Sequence, residues 1–346
     1  PLYTSVLKKS DFGIVDLIIQ TSNLLIPIVS LGIANAVIRF GLDRSIKKSD
    51  VFSIGLVTIL LGFGIFLVLI PVLRRITYIS DYTALIYIFV FMSCLRTLCS
   101  QFVRAKEYVR LYALDGVLST ITIIIFNVLF LVVLKLGITG YVLAIVISDL
   151  LSTTFLFFSA NLKRYIKLKN INRDLAKAML KYSIPLIPAT IFWWITNVSN
   201  RFIVAYSLGS EANGLFAASY KIPTIVVLIS NIFMDAWQMS AVSDDDKASR
   251  AKFFSKVFNV YQSVLFLCAS GIVLFSKLIT KILVSNAYYP SWQYIPFLVM
   301  ATTFSCLVTF LGSVYMVEKK SILTLSTTVV GAVVNVILTF LLIQKY

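Results

Sequence analysis

Two cations in otherwise apolar sequence are the residues of this chain most able to do chemistry. Arg201 lies before, and Lys221 after, the short polar loop in "SNRFIVAYSLGSEANGLFAASYKIP" (residues 199–223). Arginine and lysine are the usual protein partners of phosphate and carboxylate groups. If the flanking segments cross a bilayer, each cation costs about 2.5–3.5 kcal/mol to insert. Their similar depth favours a shared water-filled cavity with an anionic ligand, and snorkelling to the outer interface is the alternative.

The composition shows what must position these cations. Hydrophobic residues make up 59% of the 346-residue chain and charged residues only 13%, whereas a soluble domain has about 25% charged residues. A spanning helix needs about 20 mostly apolar residues, and such segments recur along the chain. The sequence therefore predicts an all-α polytopic membrane protein.

Other kinds of chemistry are not favoured by the residue types present. The chain has no histidine, and its four cysteines (94, 99, 268 and 306) lie in apolar segments without a CxxC pair. It has no glycine-rich phosphate loop. We expect no metal site, no cofactor and no catalytic residue, and hence a protein that is not an enzyme. The net charge of +16 fits basic cytoplasmic loops better than nucleic-acid binding.

The apolar segments predict ten complete spans and the stub of an earlier helix at residues 1–7. The predicted spans are 13–37, 52–72, 84–102, 116–134, 141–159, 184–206, 215–241, 260–274, 295–317 and 323–343. Of the 31 Lys and Arg residues, twenty fall in loops on one side and eight on the other. This bias predicts that the first side, with the basic linker 161–183, is cytoplasmic.

An internal repeat predicts two lobes. A shift of 201 residues carries "VLKKSDFGIVDLIIQ" (6–20) onto "SLGSEANGLFAASYK" (207–221), so that Gly13 falls on Gly214. In both, a short polar outer loop leads into a long span through the same glycine. Two equivalent helical lobes are typical of transporters that bind substrate between them. We expect a lobe at 1–160 lacking most of its first helix, the linker, and an incomplete lobe at 184–346.

Further charged residues fall inside or at the ends of the predicted spans. Arg96 is deep in its span, and Arg39 lies at the inner end of the first one, where topology anchoring is the alternative role. The carboxylates are Asp16, Asp149 and Asp235. Each is a candidate to pair with a buried cation or to bind a coupling proton or sodium ion. Since the cations outnumber the well-buried carboxylates, we expect an anionic substrate to partner at least one of them.

Two adjacent aromatic residues lie in the middle of a predicted span. Trp193 and Trp194 are away from the interface where tryptophan usually gathers. Packing or lipid contact is one role, and a wall that stacks against sugar rings is the other.

The motifs around both outer loops resemble a known family. "LKKSDFGIVDLIIQTSNLLIPIVSLGIANAVIRF" (7–40) is similar to the second helix of O-antigen type polysaccharide flippases, and "NRFIVAYSLGSEANGLFAASYKIP" (200–223) to the matching joint in their second half. These flippases belong to the multidrug/oligosaccharidyl-lipid/polysaccharide exporter superfamily. The resemblance covers essentially the whole chain, although the family's first helix and its segments after the eleventh are not matched. We therefore expect a piece of a longer protein.

The resemblance implies both a fold and an activity. The fold is the V-shaped, MATE-like bundle of two pseudo-symmetric lobes. The activity is export of a polyprenyl-diphosphate-linked oligosaccharide from the inner to the outer leaflet of the bacterial inner membrane, for O-antigen and lipopolysaccharide biosynthesis. The implied partners are that lipid-linked sugar, membrane lipids and the polysaccharide polymerase machinery. On this interpretation Arg201, Lys221, Arg96 and Arg39 bind the diphosphate.

Three other classes remain open at this stage. A cation-coupled multidrug exporter often carries cationic substrates, which an excess of intramembrane Arg and Lys does not favour. A membrane-embedded glycosyltransferase or polymerase generally needs large outer loops, and the outer loops here are short. A structural scaffold would not account for the intramembrane charges.

Overall fold

All regular structure in the described ranges is helical. The computed structural model describes residues 2–167, 169, 171–241, 247–317 and 321–343, with side chains described except at 72, 235–252 and 313–325. The helices are α1 Leu2–Val6, α2 Lys9–Val29, α3 Ile33–Leu42, α4 Lys48–Leu67, α5 Ile70–Leu73, α6 Thr83–Ala105, α7 Val109–Asn127, α8 Gly137–Ser159, α9 Arg173–Ser183, α10 Leu186–Leu208, α11 Ser210–Tyr220, α12 Thr224–Ala241, α13 Lys247–Leu274, α14 Ser276–Leu283, α15 Ile295–Val317 and α16 Ser321–Ile343. Short 3-10 turns lie at Ser80–Tyr82, Leu162–Tyr165 and Asn286–Gln293, and a π-helical segment, Val128–Val133, extends α7.

The helix lengths confirm a polytopic membrane protein. In the described ranges, nine helices are long and apolar enough to cross a bilayer, and the bent pair α11–α12 brings the number to ten if it is counted as one span. Every predicted span falls on one of these, and α1 corresponds to the predicted stub. The chain is therefore a multi-pass membrane protein.

Two of the predicted spans are broken. The first divides into α2 and α3 at Leu31 and Gly32, which both have the left-handed φ values (50° and 60°) that end a helix. The seventh bends by 44° between α11 and α12. Pro223 accounts for this bend, since a proline disfavours helical geometry at the residue before it, here Ile222. The bend places Lys221 where the helix is interrupted.

The helices pack into two compact units. One consists of residues 14–199 and the other of residues 1–13 with 200–346. This division follows packing and differs in its boundaries from the lobes expected at 1–160 and 184–346, which stay a prediction.

The 14–199 unit is built around α6 and α8. α8 packs against α6 and α7, and α3 packs against α6, α4 and α9. The basic linker contributes α9, whose Met179 is fully buried while Lys177 and Lys181 are exposed. The apolar side of α9 therefore contacts protein, while its basic side faces outward.

The core of the other unit is aromatic. The ring of Tyr261 stacks with those of Phe233 and Phe310, at centroid distances of 4.6 and 5.2 Å. The Tyr261 hydroxyl is 2.7 Å from that of Ser230 and donates to the Cys306 carbonyl. Burying a tyrosine this way satisfies its hydroxyl and ties α12, α13 and α15 together.

A reciprocal glycine contact in this unit agrees with the sequence repeat. A Cβ on Gly13 would overlap the Ser210 carbonyl oxygen, and a Cβ on Gly214 would overlap the Lys9 carbonyl oxygen. The 201-residue shift exchanges Gly13 with Gly214 and Lys9 with Ser210. Each half of the contact is therefore the repeat-mate of the other. The Asn213 amide also donates to the Gly13 carbonyl at 2.9 Å.

Gly214→Ala is expected to destabilise the protein by about 1–3 kcal/mol, because the new methyl group meets backbone that cannot move aside cheaply. Gly271→Ala is the matched control, since a Cβ on this helical glycine meets nothing within 4 Å. It should be neutral or stabilising by up to about 1 kcal/mol. Thermal unfolding of both variants in detergent measures the difference, and equal melting temperatures would contradict the close crossing.

The orientation of the chain is testable by labelling. We expect the 161–183 linker to be cytoplasmic and the 208–214 loop external, because of the charge asymmetry of the loops. Lys177→Cys and Leu208→Cys both place a thiol at an exposed position once the four natural cysteines are replaced. A membrane-impermeant thiol reagent on intact cells should label only the second variant. Labelling of only the first would reverse the orientation.

Candidate functional site

Charged and hydroxyl side chains form a network between α6 and α8, and all are buried except Arg96, whose side chain is 32% exposed. Arg96 of α6 forms an ion pair with Asp149 of α8, with Nη1 3.0 Å from Oδ1. The Ser93 hydroxyl donates to the other Asp149 oxygen, and the Arg96 Nε donates to the Ser152 hydroxyl at 3.1 Å. Each helix contributes its two residues at a spacing of three, which places both on one face. Small serines at this interface let the two helices approach closely.

A third helix adds a second carboxylate. Asp115 of α7 is 2% exposed and accepts a hydrogen bond from Ser152. The order of contacts is thus Asp115, Ser152, Arg96, Asp149 and Ser93. With all groups ionised, two carboxylates face one guanidinium, and the network carries one net negative charge. An uncompensated buried charge is costly, so the second carboxylate is an unusual feature of this helix interface.

Asp115 was missed by the sequence interpretation, because the predicted span began one residue after it, at Gly116. A signal was present. Asp115, Ser119 and Thr122 recur at the i, i+4, i+7 spacing of one helix face, in an otherwise apolar stretch. In the structure this face meets α8, where Ser148 contacts Ser119 and Thr122 and Ser152 contacts Asp115.

A polar cavity opens beside the ion pair. It has a volume of about 250 Å³, and its lining residues are Ser93, Arg96, Thr97, Ser100, Gln101 and Asp149. Ligand pockets for larger molecules usually have about 300–1,000 Å³, whereas one water needs only about 10–15 Å³ of such volume. The cavity is therefore suited to waters, a proton path or a hydrated ion. It is small for an oligosaccharide.

Both cations of the opening sequence stretch belong to the unit formed by residues 1–13 and 200–346. Arg201 of α10 is 7% exposed, and its guanidinium carbon is 4.7 Å from the centre of the Tyr220 ring. Lys221 follows Tyr220 directly, at the bend between α11 and α12, and is exposed. Arg201 thus contacts the ring of the residue that precedes Lys221 in the chain. An interrupted helix in a membrane span is a frequent feature of transporter binding sites.

Arg39 faces a groove in the 14–199 unit. Its guanidinium carbon is 5.4 Å from the Tyr182 ring centre. The groove has a volume of about 530 Å³, and its lining residues are Asn35, Ile38, Arg39, Leu42, Tyr182 and Leu186. This volume falls in the range of small-molecule sites.

The remaining predicted site residues differ in their surroundings. Asp16 of α2 is buried, while the Asp235 side chain lies outside the described residues. Trp194 is half-buried and donates its indole N–H to the Gln20 carbonyl at 2.9 Å, which is a packing contact. Trp193 is 61% exposed. A sugar-stacking role for either indole stays a prediction. The Trp193 ring is the more exposed of the two.

No potential metal centre of three or more Cys, Asp or Glu side chains occurs in the part of the chain that the structure describes.

Comparison with known proteins supplies a family and a fold. A family model described as "Polysaccharide biosynthesis protein" matches residues 1–238. Similar solved structures include an inward-facing multidrug resistance MATE family transporter of the MOP superfamily, 13% identical with a TM-score of 0.69, covering 99% of this chain and 93% of that one. A MATE protein in complex with MaL6 is 14% identical with a TM-score of 0.61, covering 99% and 90%. An outward-facing MATE transporter is 14% identical with a TM-score of 0.58, covering 99% and 89%. No match was found among curated proteins.

These structural similarities define the class of protein. At such identities they show the fold alone, which is that of the MATE transporters, in a multi-pass membrane protein. The chain belongs to the family of polysaccharide biosynthesis proteins, since that family model covers more than half of it. The family match agrees with the polysaccharide family that the two loop motifs indicated, and the solved structures confirm the MATE-like fold.

Proposed function

We propose that the chain flips a polyprenyl-diphosphate-linked oligosaccharide from the inner to the outer leaflet of a bacterial inner membrane by alternating access. The family match over residues 1–238 supports a role in polysaccharide biosynthesis, and the transporter fold supports movement rather than synthesis. The observation that carries the proposal is Arg201, a deeply buried arginine held on the ring of Tyr220, which is the last residue before the span is interrupted at Lys221.

The diphosphate explains why cations sit in these spans. It is strongly anionic, and a guanidinium can bind it with two parallel hydrogen bonds. Tyr220 covers one side of the Arg201 guanidinium and so restricts its orientation. Lys221 adds a second charge at the bend. In this proposal the polyprenyl tail remains in lipid while the headgroup is bound.

Arg39, in the 14–199 unit, is a separate candidate for binding the headgroup. Its groove is about twice the volume of the cavity beside Arg96, and Tyr182 offers a ring against which a sugar can stack. Arg96 is less suited to the diphosphate, because Asp149 already neutralises it. We assign the Arg96 network to coupling instead, with Asp149 and Asp115 taking up and releasing the coupling proton or sodium ion.

A reconstituted assay separates the candidate functions. Proteoliposomes containing the chain would receive a fluorescent polyprenyl-diphosphate oligosaccharide in one leaflet, and a membrane-impermeant quencher would report its transfer. We expect transfer at least about tenfold faster than in vesicles with Arg201→Gln, and recovery of the lipid at unchanged mass. A changed mass would indicate a glycosyltransferase or polymerase. Ion-driven transport of cationic dyes without lipid transfer would instead indicate a multidrug exporter, which the fold alone also accommodates.

A further inference from the structure

A cluster of cations and tyrosines lies where the linker meets α4 and α6, at the predicted cytoplasmic end of the 14–199 unit. The Arg164 guanidinium carbon is 4.8 Å, and the Lys106 Nζ 5.5 Å, from the centre of the Tyr165 ring. The Lys106 Nζ is also 5.6 Å from the centre of the Tyr108 ring. Two cations therefore share one aromatic ring and lie no farther apart than the sum of their distances to it.

The protein holds this cluster in a fixed position. The Tyr165 ring packs edge-on against Phe102, with centroids 5.1 Å apart. The Ser53 hydroxyl donates to the Tyr165 carbonyl at 3.0 Å and accepts from the Lys167 amide at 2.8 Å. Leu162 is fully buried. The segment 162–167 is thus anchored on the ends of α4 and α6 and does not behave as a loose basic linker.

The cluster has an excess of positive charge. Among the described residues, neither Lys106 nor Arg164 has a carboxylate within 4.0 Å, the ion pairs there being Lys9–Glu211 and Arg96–Asp149. Two acidic residues lie near the cluster in the sequence or at a helix end beside it. They are the exposed Glu107, next to Lys106, and the half-buried Asp50, at the start of α4. Further cations, all exposed, lie on the same segment and at the adjoining ends of α6 and α7. They are Lys163, Lys167, Arg104 and Arg110. An anion would complete the charge balance here.

An apolar surface begins directly beside the cluster. α7 starts at Val109, next to Tyr108, and Val109 is 68% exposed. Further along the same helix, Leu114, Val117, Ile121 and Ile124 are each at least half exposed. In a membrane-spanning helix such a surface contacts lipid acyl chains. The cluster therefore presents cations at the end of a lipid-facing helix, which matches a ligand with an anionic head and an apolar tail.

We propose that Lys106, Arg164, Tyr108 and Tyr165 form a binding site for the headgroup phosphodiester of an anionic phospholipid, whose acyl chains lie along α7. Basic pockets at the cytoplasmic ends of membrane helices bind such headgroups, and a cation held on an aromatic ring is oriented for this contact. The site is separate from the proposed flipping function and does not depend on it. Lipid bound here anchors the linker segment to the membrane.

Native mass spectrometry of the detergent-purified chain, titrated with phosphatidylglycerol, tests the site. We expect the wild type to retain phosphatidylglycerol in preference to phosphatidylcholine, which has the same phosphate but no net charge. Lys106→Gln with Arg164→Gln should weaken retention about thirtyfold, because each surface cation contributes roughly fivefold. Arg74→Gln with Arg75→Gln removes the same charge from an exposed pair elsewhere in this unit. It should leave retention near the wild-type value.

Four results would count against the proposal. Equal weakening in both double variants would mean a diffuse charge effect, and unchanged retention in Lys106→Gln with Arg164→Gln would mean that no site exists here. Displacement of phosphatidylglycerol by inorganic phosphate at equal concentration would assign the cluster to a soluble anion. Melting temperatures of all variants are measured in parallel. Arg164→Lys keeps the charge and should retain the lipid, so a loss in that variant also counts against the proposal.

Discussion

Arg201→Ala is expected to abolish surface polysaccharide while the protein still reaches the membrane in normal amounts. Removing one partner of a buried, charge-paired contact costs about 2–5 kcal/mol in binding, which is more than a tenfold loss of affinity. Arg201 is buried on the Tyr220 ring, so the diphosphate would lose its most oriented cation. Polysaccharide on the cell surface and the amount of protein in the membrane are the two measurements.

Conservative replacements separate charge from geometry. Arg201→Gln keeps hydrogen bonds but no charge and should fail, whereas Arg201→Lys should rescue only in part because an ammonium lacks the guanidinium fork. Lys221→Ala and Lys221→Gln should fail as well, although this exposed residue should affect stability less. Lys281→Ala, which removes an exposed cation of α14 in the same unit, is the matched control and should export normally.

Normal export by the alanine and glutamine variants at both positions would contradict this assignment. Arg201 and Lys221 would then be interface anchors, as the snorkelling alternative holds. The diphosphate site would have to be sought around Arg39 and Arg96. The groove beside Arg39 would be the first candidate, because Arg96 is already paired with Asp149.

Most of the fold follows from the sequence because membrane insertion has a simple physical requirement. A segment of about 20 apolar residues satisfies its backbone hydrogen bonds only as a helix in lipid, and the predicted spans fall on the helices. Hydropathy says less about where a helix bends. The break at Leu31 and Gly32 depends on local backbone geometry, while Pro223 offered a recognisable signal for the bend after Lys221.

The charge pairs could not be predicted, because they depend on which helices are neighbours. Arg96 and Asp149 were both recognised as buried charges, but nothing in the chain indicates that α6 packs on α8. Asp115 escaped because its helix begins at Val109, well before the apolar run that defined the predicted span. The repeat is a contrasting case. Gly13 and Gly214 were matched by sequence alone, and the structure shows them in reciprocal backbone contact.

The charge balance of the Arg96 network leads to the second large effect. Arg96→Gln would leave Asp115 and Asp149 buried without their cation. Because the Arg96 side chain is 32% exposed, the cost should stay below the roughly 3–5 kcal/mol of breaking a fully buried pair. Adding Asp149→Asn to Arg96→Gln removes one of the stranded charges, so the double variant should be more stable than Arg96→Gln alone. Thermal unfolding in detergent measures this order. A wild-type melting temperature for Arg96→Gln would contradict the role of Arg96 in compensating the two carboxylates.

Asp149→Asn alone separates a coupling role from a static ion pair. It leaves Arg96 with Asp115, joined through Ser152, so the remaining network is neutral and the protein should stay folded. If Asp149 takes up the coupling ion, transport should lose its dependence on the ion gradient, or stop, although stability is kept.

Asp115→Asn should behave in the same way, because the network is again neutral and a carboxylate is gone. Asp50→Asn, at the start of α4, is the control for loss of a carboxylate elsewhere and should leave coupling unchanged. Unaltered gradient dependence in both Asp149→Asn and Asp115→Asn would show that these carboxylates only pair with Arg96, since a group that carries the coupling ion cannot be replaced by an amide without altering that dependence.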